Sequence, residues 1–214
     1  MVELSRQRIR RNVWDRPDIA AVWSGEPLDP RESHAIRHQL SQSGFYTGLS
    51  RGNLILDLAS GAYSYLDIRK FNGAKAIAVD LSSHMLQNLR RQYGQRYGGY
   101  VLGDGTQIPM GTNSVDRTLC TFMMRYLTEG EQKEALLEMI RVTKPGGKIA
   151  LVDYEVTRHE GEMTRFSPEI ITQTLLDRDI QAELAVAGKT VRVESGVLPV
   201  PNARSPMHFV TLTV

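Results

Sequence analysis

The chain has very little cysteine and no long apolar run. Cys120 is the single cysteine among 214 residues, which excludes an internal disulfide and a cysteine-based metal cluster. No window approaches the roughly twenty apolar residues that span a bilayer. The N-terminal stretch MVELSRQRIRRNVWDRPD lacks the apolar core of a signal peptide. These absences lead us to expect a soluble protein of the cytoplasm, without membrane insertion.

The two signs of charge nearly balance, because 26 Lys and Arg against 24 Asp and Glu give a net charge of only +2. A protein with this charge balance is not expected to bind nucleic acid over its whole surface. The one basic cluster, at residues 6–11, is typical of a solvated chain end, and no nucleic-acid-binding module accompanies it. The composition is otherwise that of an ordinary globular domain.

Short apolar runs alternate with helical patterns from Leu54 onward. This rhythm predicts an α/β fold with a doubly wound, mostly parallel sheet. Thr128 and Glu131 form a capping-box pattern at the start of one helix. The predicted strands are 54–58, 76–79, 100–102, 115–122 and 148–154, and the predicted helices are 62–71, 83–96 and 128–143.

The two ends differ from this alternating core. Residues 1–51 contain helical patterns around 19–23 and 32–40 and are expected to cap the mouth of the sheet. A further helix is predicted from Pro168 to about Ala187, because proline is favoured at the first helical position. Strands at 190–194 and 207–214 would complete seven strands, parallel except for one strand of this final hairpin. We therefore expect a single domain made of a cap (1–51), a core (52–154) and a C-terminal helix with hairpin strands (155–214).

Three acids, Asp57, Asp80 and Asp104, follow three successive predicted strands. The carboxyl ends of the strands in a doubly wound sheet are where ligands bind. Asp80 comes 23 residues after Asp57, close to the spacing of an acid that accepts ribose hydroxyls. Spacing alone does not separate a dinucleotide from an adenosyl cofactor. A single such aspartate would be interpreted as a strand-end cap, but three in succession favour a site.

Five segments resemble the successive motifs of class I S-adenosylmethionine-dependent methyltransferases, most closely the small-molecule group (methyltransferase type 11) that includes the quinone-biosynthesis enzymes. They are LILDLASG, AIAVDLSSHML, LGDGTQIPM, NSVDRTLCTFMMRYL and IRVTKPGGKIALVDY. The resemblance covers residues 52–154. It implies a Rossmann-like fold, S-adenosyl-L-methionine as cofactor and methyl transfer to an acceptor.

The resemblance also implies a set of cofactor-binding residues. Asp80 would accept the ribose hydroxyls, and Asp104 with Gly105 would meet adenine. The remaining positions would surround the methionine part, the ribose and the sulfonium; they are Asp57, Ala59, Ser60, Gly61, Leu81, Met85, Thr121 and Phe122.

The loop after the first strand departs from the family pattern Gly-x-Gly-x-Gly, since Gly61 is its only glycine. Aligned without a gap, Ala59, Gly61 and Tyr63 occupy the three positions. Aligned with two loop residues missing, residues 62–65 start the following helix, and this version is preferred because Tyr63 becomes an ordinary helical residue. A dinucleotide would need several glycines beside its pyrophosphate. S-adenosylmethionine has no phosphate, so the loop favours it, although loss of cofactor binding stays open as an alternative.

No catalytic base can be singled out from the sequence. The candidates are His34, Tyr126, Glu155 and His159, with His38 on the same helical face as His34; each can instead be a surface or packing residue. The His34–His38 pair lacks a third metal ligand, and no metal site is predicted. Arg125 is a candidate for binding an acidic group of the substrate or for a plain capping role.

The acceptor is expected to be a small molecule. CTFMMRYL follows the fourth strand, in place of the Asn/Asp-Pro-Pro-Tyr run of enzymes that methylate amino groups of nucleic acids. Two hypotheses therefore remain, an active small-molecule methyltransferase and a non-catalytic relative that serves as a binding or partner subunit. Oligomeric state is not predicted.

Overall fold

Seven strands form a single sheet in the computed structural model, which describes residues 13–23, 30–155, 166–200 and 206–214. The strands are β1 (Leu54–Leu58), β2 (Lys75–Asp80), β3 (Tyr97–Leu102), β4 (Val115–Thr121), β5 (Thr143–Tyr154), β6 (Arg192–Leu198) and β7 (Met207–Thr213). Their order is β3-β2-β1-β4-β5-β7-β6. β7 is antiparallel to β5 and β6, and the other pairs are parallel. The predicted seven-stranded sheet with one antiparallel strand is confirmed.

Helices cover both faces of the sheet. They are α1 (Pro17–Trp23), α2 (Pro30–Gln42), α3 (Ser83–Tyr93), α4 (Glu129–Val142), α5 (Pro168–Leu176) and α6 (Arg178–Val186), with 3-10 turns at Ile68–Lys70, Gly94–Arg96 and Met124–Tyr126. Leu56 of β1 packs in the same buried cluster as Leu136 of α4. Ile55, one residue earlier, packs on the other face with Leu89 of α3. This alternation places one apolar core on each face, as a strand buried on both sides requires.

Capping residues define the ends of several helices. The predicted capping box is present, because Thr128 and Glu131 each accept a hydrogen bond from the other's backbone N–H. The predicted continuous helix from 168 to 187 is wrong, since Asp177 divides it into α5 and α6. Asp177 has a non-helical ψ of 135°, and its side chain accepts hydrogen bonds from the N–H groups of Asp179 and Ile180. It therefore caps a second helix instead of continuing the first.

The predicted helix at 62–71 is also wrong, because only the short turn Ile68–Lys70 is helical there. Side chains of this segment bind nearby backbone groups instead: Ser64 Oγ accepts from Leu66 N at 3.1 Å, and Asp67 Oδ1 accepts from Arg69 N at 3.2 Å. Such local bonds compete with the helical ones. The gapped alignment was preferred because it made residues 62–65 a helix start, and the structure has no helix there.

The carboxyl ends of β1, β2 and β4 meet at one edge of the sheet. β1 lies between β2 and β4, so the strand order reverses there and leaves a crevice. α1 lies over this edge, where Ala20 packs with Ala62 and Met85. Among the described residues, no helix is both long and apolar enough to cross a membrane.

Candidate functional site

One cavity opens at this edge of the sheet, and it gathers most of the residues that the resemblance implied. Ten of the eleven predicted cofactor residues line it. The loop after β1, the end of β2, the turn after β3 and the end of β4 each contribute part of its wall. The ten are Ala59, Ser60, Gly61, Asp80, Leu81, Met85, Asp104, Gly105, Thr121 and Phe122.

Asp80, the last residue of β2, connects two parts of the cavity wall. Its Oδ2 accepts from Gly61 N and its Oδ1 from Ser82 N, both at 2.8 Å. Burial raises the pKa of Asp80, and these backbone hydrogen bonds oppose the rise. Leu81 supplies a third backbone hydrogen bond, so about one of the four acceptor sites of the carboxylate remains. The geometry thus presents a fixed carboxylate with capacity for a further hydroxyl group.

The loop after β1 has an unusual backbone. Ala59 and Gly61 have φ of 52° and 58°, in the left-handed region that glycine occupies at little cost. A Cβ on Gly61 would meet no protein atom within 4 Å. Ser60 Oγ is buried and has no hydrogen-bond partner in the part of the chain that the structure describes. A buried unpaired hydroxyl at a cavity wall is the kind of group that a ligand satisfies.

The turn after β3 supplies the second acid. Asp104 Oδ1 accepts from both the N–H and the hydroxyl of Thr106, each at 2.9 Å. Gly105 is buried, and a Cβ there would lie 2.6 Å from Met123 Sδ. Glycine therefore allows the chain to pass close under Met123 at this wall.

Phe122 forms the cavity wall at the end of β4 and has φ of 57°. A left-handed backbone costs a non-glycine residue about 1–2 kcal/mol. Its ring stacks on Tyr154 at 5.4 Å and meets the edge of Tyr65 at the same centroid distance. Strain of this kind concentrates at functional sites, where the surrounding packing enforces it.

Asp57 does not line the cavity, which separates it from the other ten predicted residues. It is buried behind the loop, where it accepts hydrogen bonds from Ser64 Oγ at 2.7 Å and from the Tyr97 hydroxyl. Burial raises the pKa of Asp57 to about 6, although these two hydrogen bonds act in the opposite direction. Its side chain therefore ties the turn at Ser64 to β3.

The N-terminal segment closes one side of the cavity. Trp14 lines it and meets Tyr126 edge to face at 4.9 Å. The next residue, Asp15, is bound at the start of α3: its Oδ1 accepts from Ser83 N at 2.8 Å and contacts His84 Nδ1 at 3.0 Å. Burial opposes ionisation of Asp15, but hydrogen bonds from His84 and Ser83 lower its pKa to about 2. A carboxylate at a helix N-terminus is stabilised by the helix dipole.

Sequence reasoning missed both Trp14 and Asp15. The contact between Asp15 and Ser83 joins positions 68 residues apart, and no local pattern indicates it.

Arg125 and Tyr126, both candidates from the sequence, line the cavity. Arg125 is buried and pairs with Asp153 at 2.5 Å, so a carboxylate of the protein already balances its charge. Its guanidinium also lies over the rings of Phe122 and Tyr126, 5.3 and 4.8 Å from their centroids. This environment favours a role in holding the aromatic wall over one in binding an acidic substrate.

The other catalytic candidates lie elsewhere. Glu155 Oε2 contacts His208 Nε2 at 3.1 Å, and Glu155 does not line the cavity. His34 lies with His38 on α2, in a separate groove. His159 falls outside the described residues. Within the described ranges, no group of three or more His, Cys, Asp or Glu side chains could hold a metal ion.

Comparison with known proteins agrees with the fold and the motifs. Residues 56–151 match the model of a methyltransferase domain family. A demethylmenaquinone methyltransferase of Renibacterium salmoninarum is 34% identical over 107 residues, which make up 50% of this chain and 44% of that protein. The chain spans less than half the length of the curated relatives it matches.

Solved structures share the architecture at low sequence identity. A SAM-dependent methyltransferase from Aquifex aeolicus has a TM-score of 0.61 at 20% identity, covering 93% of this chain and 99% of its own. A magnesium protoporphyrin IX methyltransferase from Synechocystis PCC 6803, solved with bound SAM, has a TM-score of 0.66 at 12% identity and covers 96% of both chains. These likenesses establish the fold. Residues 56–151 thus match a methyltransferase domain, and the chain shares the fold of solved SAM-dependent methyltransferases.

Proposed function

We propose that this chain is an S-adenosylmethionine-dependent methyltransferase that acts on a small-molecule acceptor. The observation that carries the proposal is the cavity itself, whose wall contains a carboxylate with spare acceptor capacity (Asp80) and a residue with an unpaired buried hydroxyl (Ser60). Both polar groups suit an adenosyl ligand that carries hydroxyl and amino groups. The residues present therefore fit the cofactor of the family.

The proposed binding mode follows the cavity walls. Asp80 accepts the ribose hydroxyls, Asp104 accepts the adenine amine, and Ser60 and Gly61 lie against the methionine part. When bound, S-adenosylmethionine supplies an activated methyl group. The protein's part is to hold the acceptor in line with that group and to exclude water. This needs no covalent catalysis by the protein.

We place the acceptor beside the aromatic part of the cavity wall. Trp14, Tyr65, Phe122 and Tyr126 all border it, and Leu127 adds an aliphatic side chain. Such a lining suits an uncharged or weakly polar small molecule. The likeness to demethylmenaquinone methyltransferases also supports a small-molecule acceptor. Tyr126 is the catalytic candidate that borders this space; Arg125 Nη2 donates to its hydroxyl at 3.3 Å and so positions the phenol oxygen.

The proposal is tested by calorimetric titration with S-adenosylmethionine and S-adenosylhomocysteine. Asp80→Ala should weaken cofactor binding by about 1–3 kcal/mol, the range for hydrogen bonds to a charged group. Asp116→Ala is the matched control, because Asp116 also accepts a backbone N–H (Leu54 N at 2.8 Å) but does not line the cavity. Equal cofactor affinity in wild type and Asp80→Ala, both folded, would refute the assignment.

A non-catalytic binding or partner subunit is the second candidate, and the altered loop favours it. Gly61 is the only glycine there, and the expected helix after it is absent. This alternative predicts that the folded wild-type chain binds neither S-adenosylmethionine nor S-adenosylhomocysteine. The titration therefore separates the two functions.

A further inference from the structure

A second depression shares Tyr63 with the wall of the cofactor cavity. We call it the α2 groove; it is bordered by α2 and by the turn that follows β1. Its volume is about 540 Å³, within the range of small-molecule sites. Residues that define it are Ser33, His34, Arg37, His38, Tyr63 and Lys70. The proposed methyl transfer uses none of them except Tyr63, which also borders the cavity.

The α2 groove carries more positive than negative charge, because Arg37, Arg69 and Lys70 line it together with the single acid Asp67. Arg69 pairs with Asp67 at 2.9 Å, so those two charges offset each other. Arg37 instead donates to neutral acceptors, the Tyr63 hydroxyl at 2.7 Å and Ser64 O at 3.1 Å. Lys70 Nζ donates to Ser41 Oγ at 2.6 Å. Asp67 also attracts Lys70 electrostatically, but no carboxylate among the described residues forms a salt bridge with Arg37 or Lys70, and both line the groove.

Arg37 is held in place for binding. Its hydrogen bonds to Tyr63 and Ser64, and its position 5.4 Å from the Tyr63 ring centroid, orient the guanidinium before any ligand arrives. An oriented guanidinium loses less entropy when it binds an oxyanion. Lys70 supplies the point charge that phosphate sites also use.

Further hydrogen-bonding side chains lie beside the two cations. His34 and His38 are one turn apart on α2, with ring centroids 6.4 Å apart. Ser33 Oγ is buried and has no partner within the described residues, and Ser33 lines the same groove. The groove thus combines two cations, two imidazoles and an unsatisfied hydroxyl.

We propose that the α2 groove binds the phosphoryl group of a small anion, as inorganic phosphate or as a phosphate monoester. A guanidinium, an ammonium and further hydrogen-bonding side chains line this groove. Together they suit a ligand with several phosphate oxygens better than a ligand with a single carboxylate. The proposal does not depend on the methyltransferase assignment, because the probes and the measurement involve no cofactor.

The test is calorimetric titration of the full chain at low ionic strength with inorganic phosphate and, separately, with glycerol 3-phosphate. Lys70→Gln should weaken binding at least about fivefold, as expected for loss of a charge-assisted hydrogen bond. Lys133→Gln, which removes the same charge from α4 on the opposite face of the sheet, should leave binding unchanged. Tighter binding of glycerol 3-phosphate than of phosphate would identify a monoester as the ligand, and equal binding would identify free phosphate.

Arg37→Gln should weaken binding further, with its circular dichroism spectrum and melting temperature recorded because Arg37 also holds the turn. If that variant fails to fold, Lys70→Gln still decides the question, since Lys70 is exposed and its side chain bonds only to Ser41 among the described residues. Absence of phosphate binding to the folded wild type overturns the proposal. An equal loss in Lys70→Gln and Lys133→Gln also overturns it, because binding would then reflect overall charge.

Discussion

Gly61 offers a sharp test of the cofactor loop. It lines the cavity with φ of 58°, and a Cβ there would meet no protein atom within 4 Å. A methyl group on residue 61 would therefore enter ligand space without touching the rest of the protein. Gly61→Ala is preferable to Gly61→Val, because a β-branched side chain at positive φ would add strain unrelated to the ligand.

The expected magnitudes separate folding from binding. An alanine in the left-handed region costs about 1–2 kcal/mol of folding free energy. That corresponds to a fall in melting temperature of roughly 2–8 °C for a chain of this size. If the methyl group also displaces the cofactor from its contact with the loop, affinity should fall at least tenfold, or about 1.4 kcal/mol.

Gly48→Ala is the matched control. Gly48 has φ of 76°, a Cβ added to it would meet no atom within 4 Å, and it borders neither the cavity nor the α2 groove. Both variants should therefore lose similar stability in thermal denaturation, but only Gly61→Ala should lose affinity for S-adenosylhomocysteine in calorimetry. Unchanged affinity in Gly61→Ala would show that the loop is a structural turn, and our placement of the methionine part would be wrong.

Three further predictions concern the cavity's surroundings. Asp15→Asn should release the segment that carries Trp14 and speed S-adenosylhomocysteine dissociation several-fold, since weakening a charged cap costs about 1 kcal/mol. Stopped-flow tryptophan fluorescence measures the dissociation rate, and the exposed control Asp18→Asn should leave that rate unchanged. The pKa of Asp57 is raised from 3.8 to about 6, so the native state holds a proton that the unfolded state has lost, and stability falls as pH rises through that window. The fall is up to about 3 kcal/mol, at 1.36 kcal/mol per pKa unit. Urea unfolding of Asp57→Asn between pH 4 and 7 should lack this decline, and parallel profiles for both proteins would contradict the assignment. Ala59→Gly should raise the free energy of unfolding by up to about 1 kcal/mol, because the strain removed at positive φ exceeds the entropy cost of ordering a glycine. A destabilised variant would show that Ala59 is not strained.

Local patterns in the sequence were sufficient for the architecture and for Asp80 and Asp104, whereas the resemblance to methyltransferase motifs supplied the rest of the predicted cavity wall. Apolar runs alternating with helical periods specify strands and helices, and the right-handed crossovers between parallel strands then bring their carboxyl ends to one edge. Asp80 and Asp104 reach that edge because each lies where a strand ends. Their meeting could be predicted since it depends on strand order and not on side-chain packing.

The tertiary structure alone decided the turn after β1, the position of Asp57 and the closure of the cavity. Residues 62–71 have helical spacing, but nearby backbone N–H groups donate to the side chains of Ser64 and Asp67 instead of forming a helix. The free energies of such local alternatives differ little. Asp57 turned away from the cavity because Tyr97, forty residues later, supplies a buried donor. Asp15 likewise closes the cavity through the start of α3, 68 residues away. Periodicity reports which face of an element is buried, but it carries no information about which distant polar group will complete a buried carboxylate's hydrogen bonds.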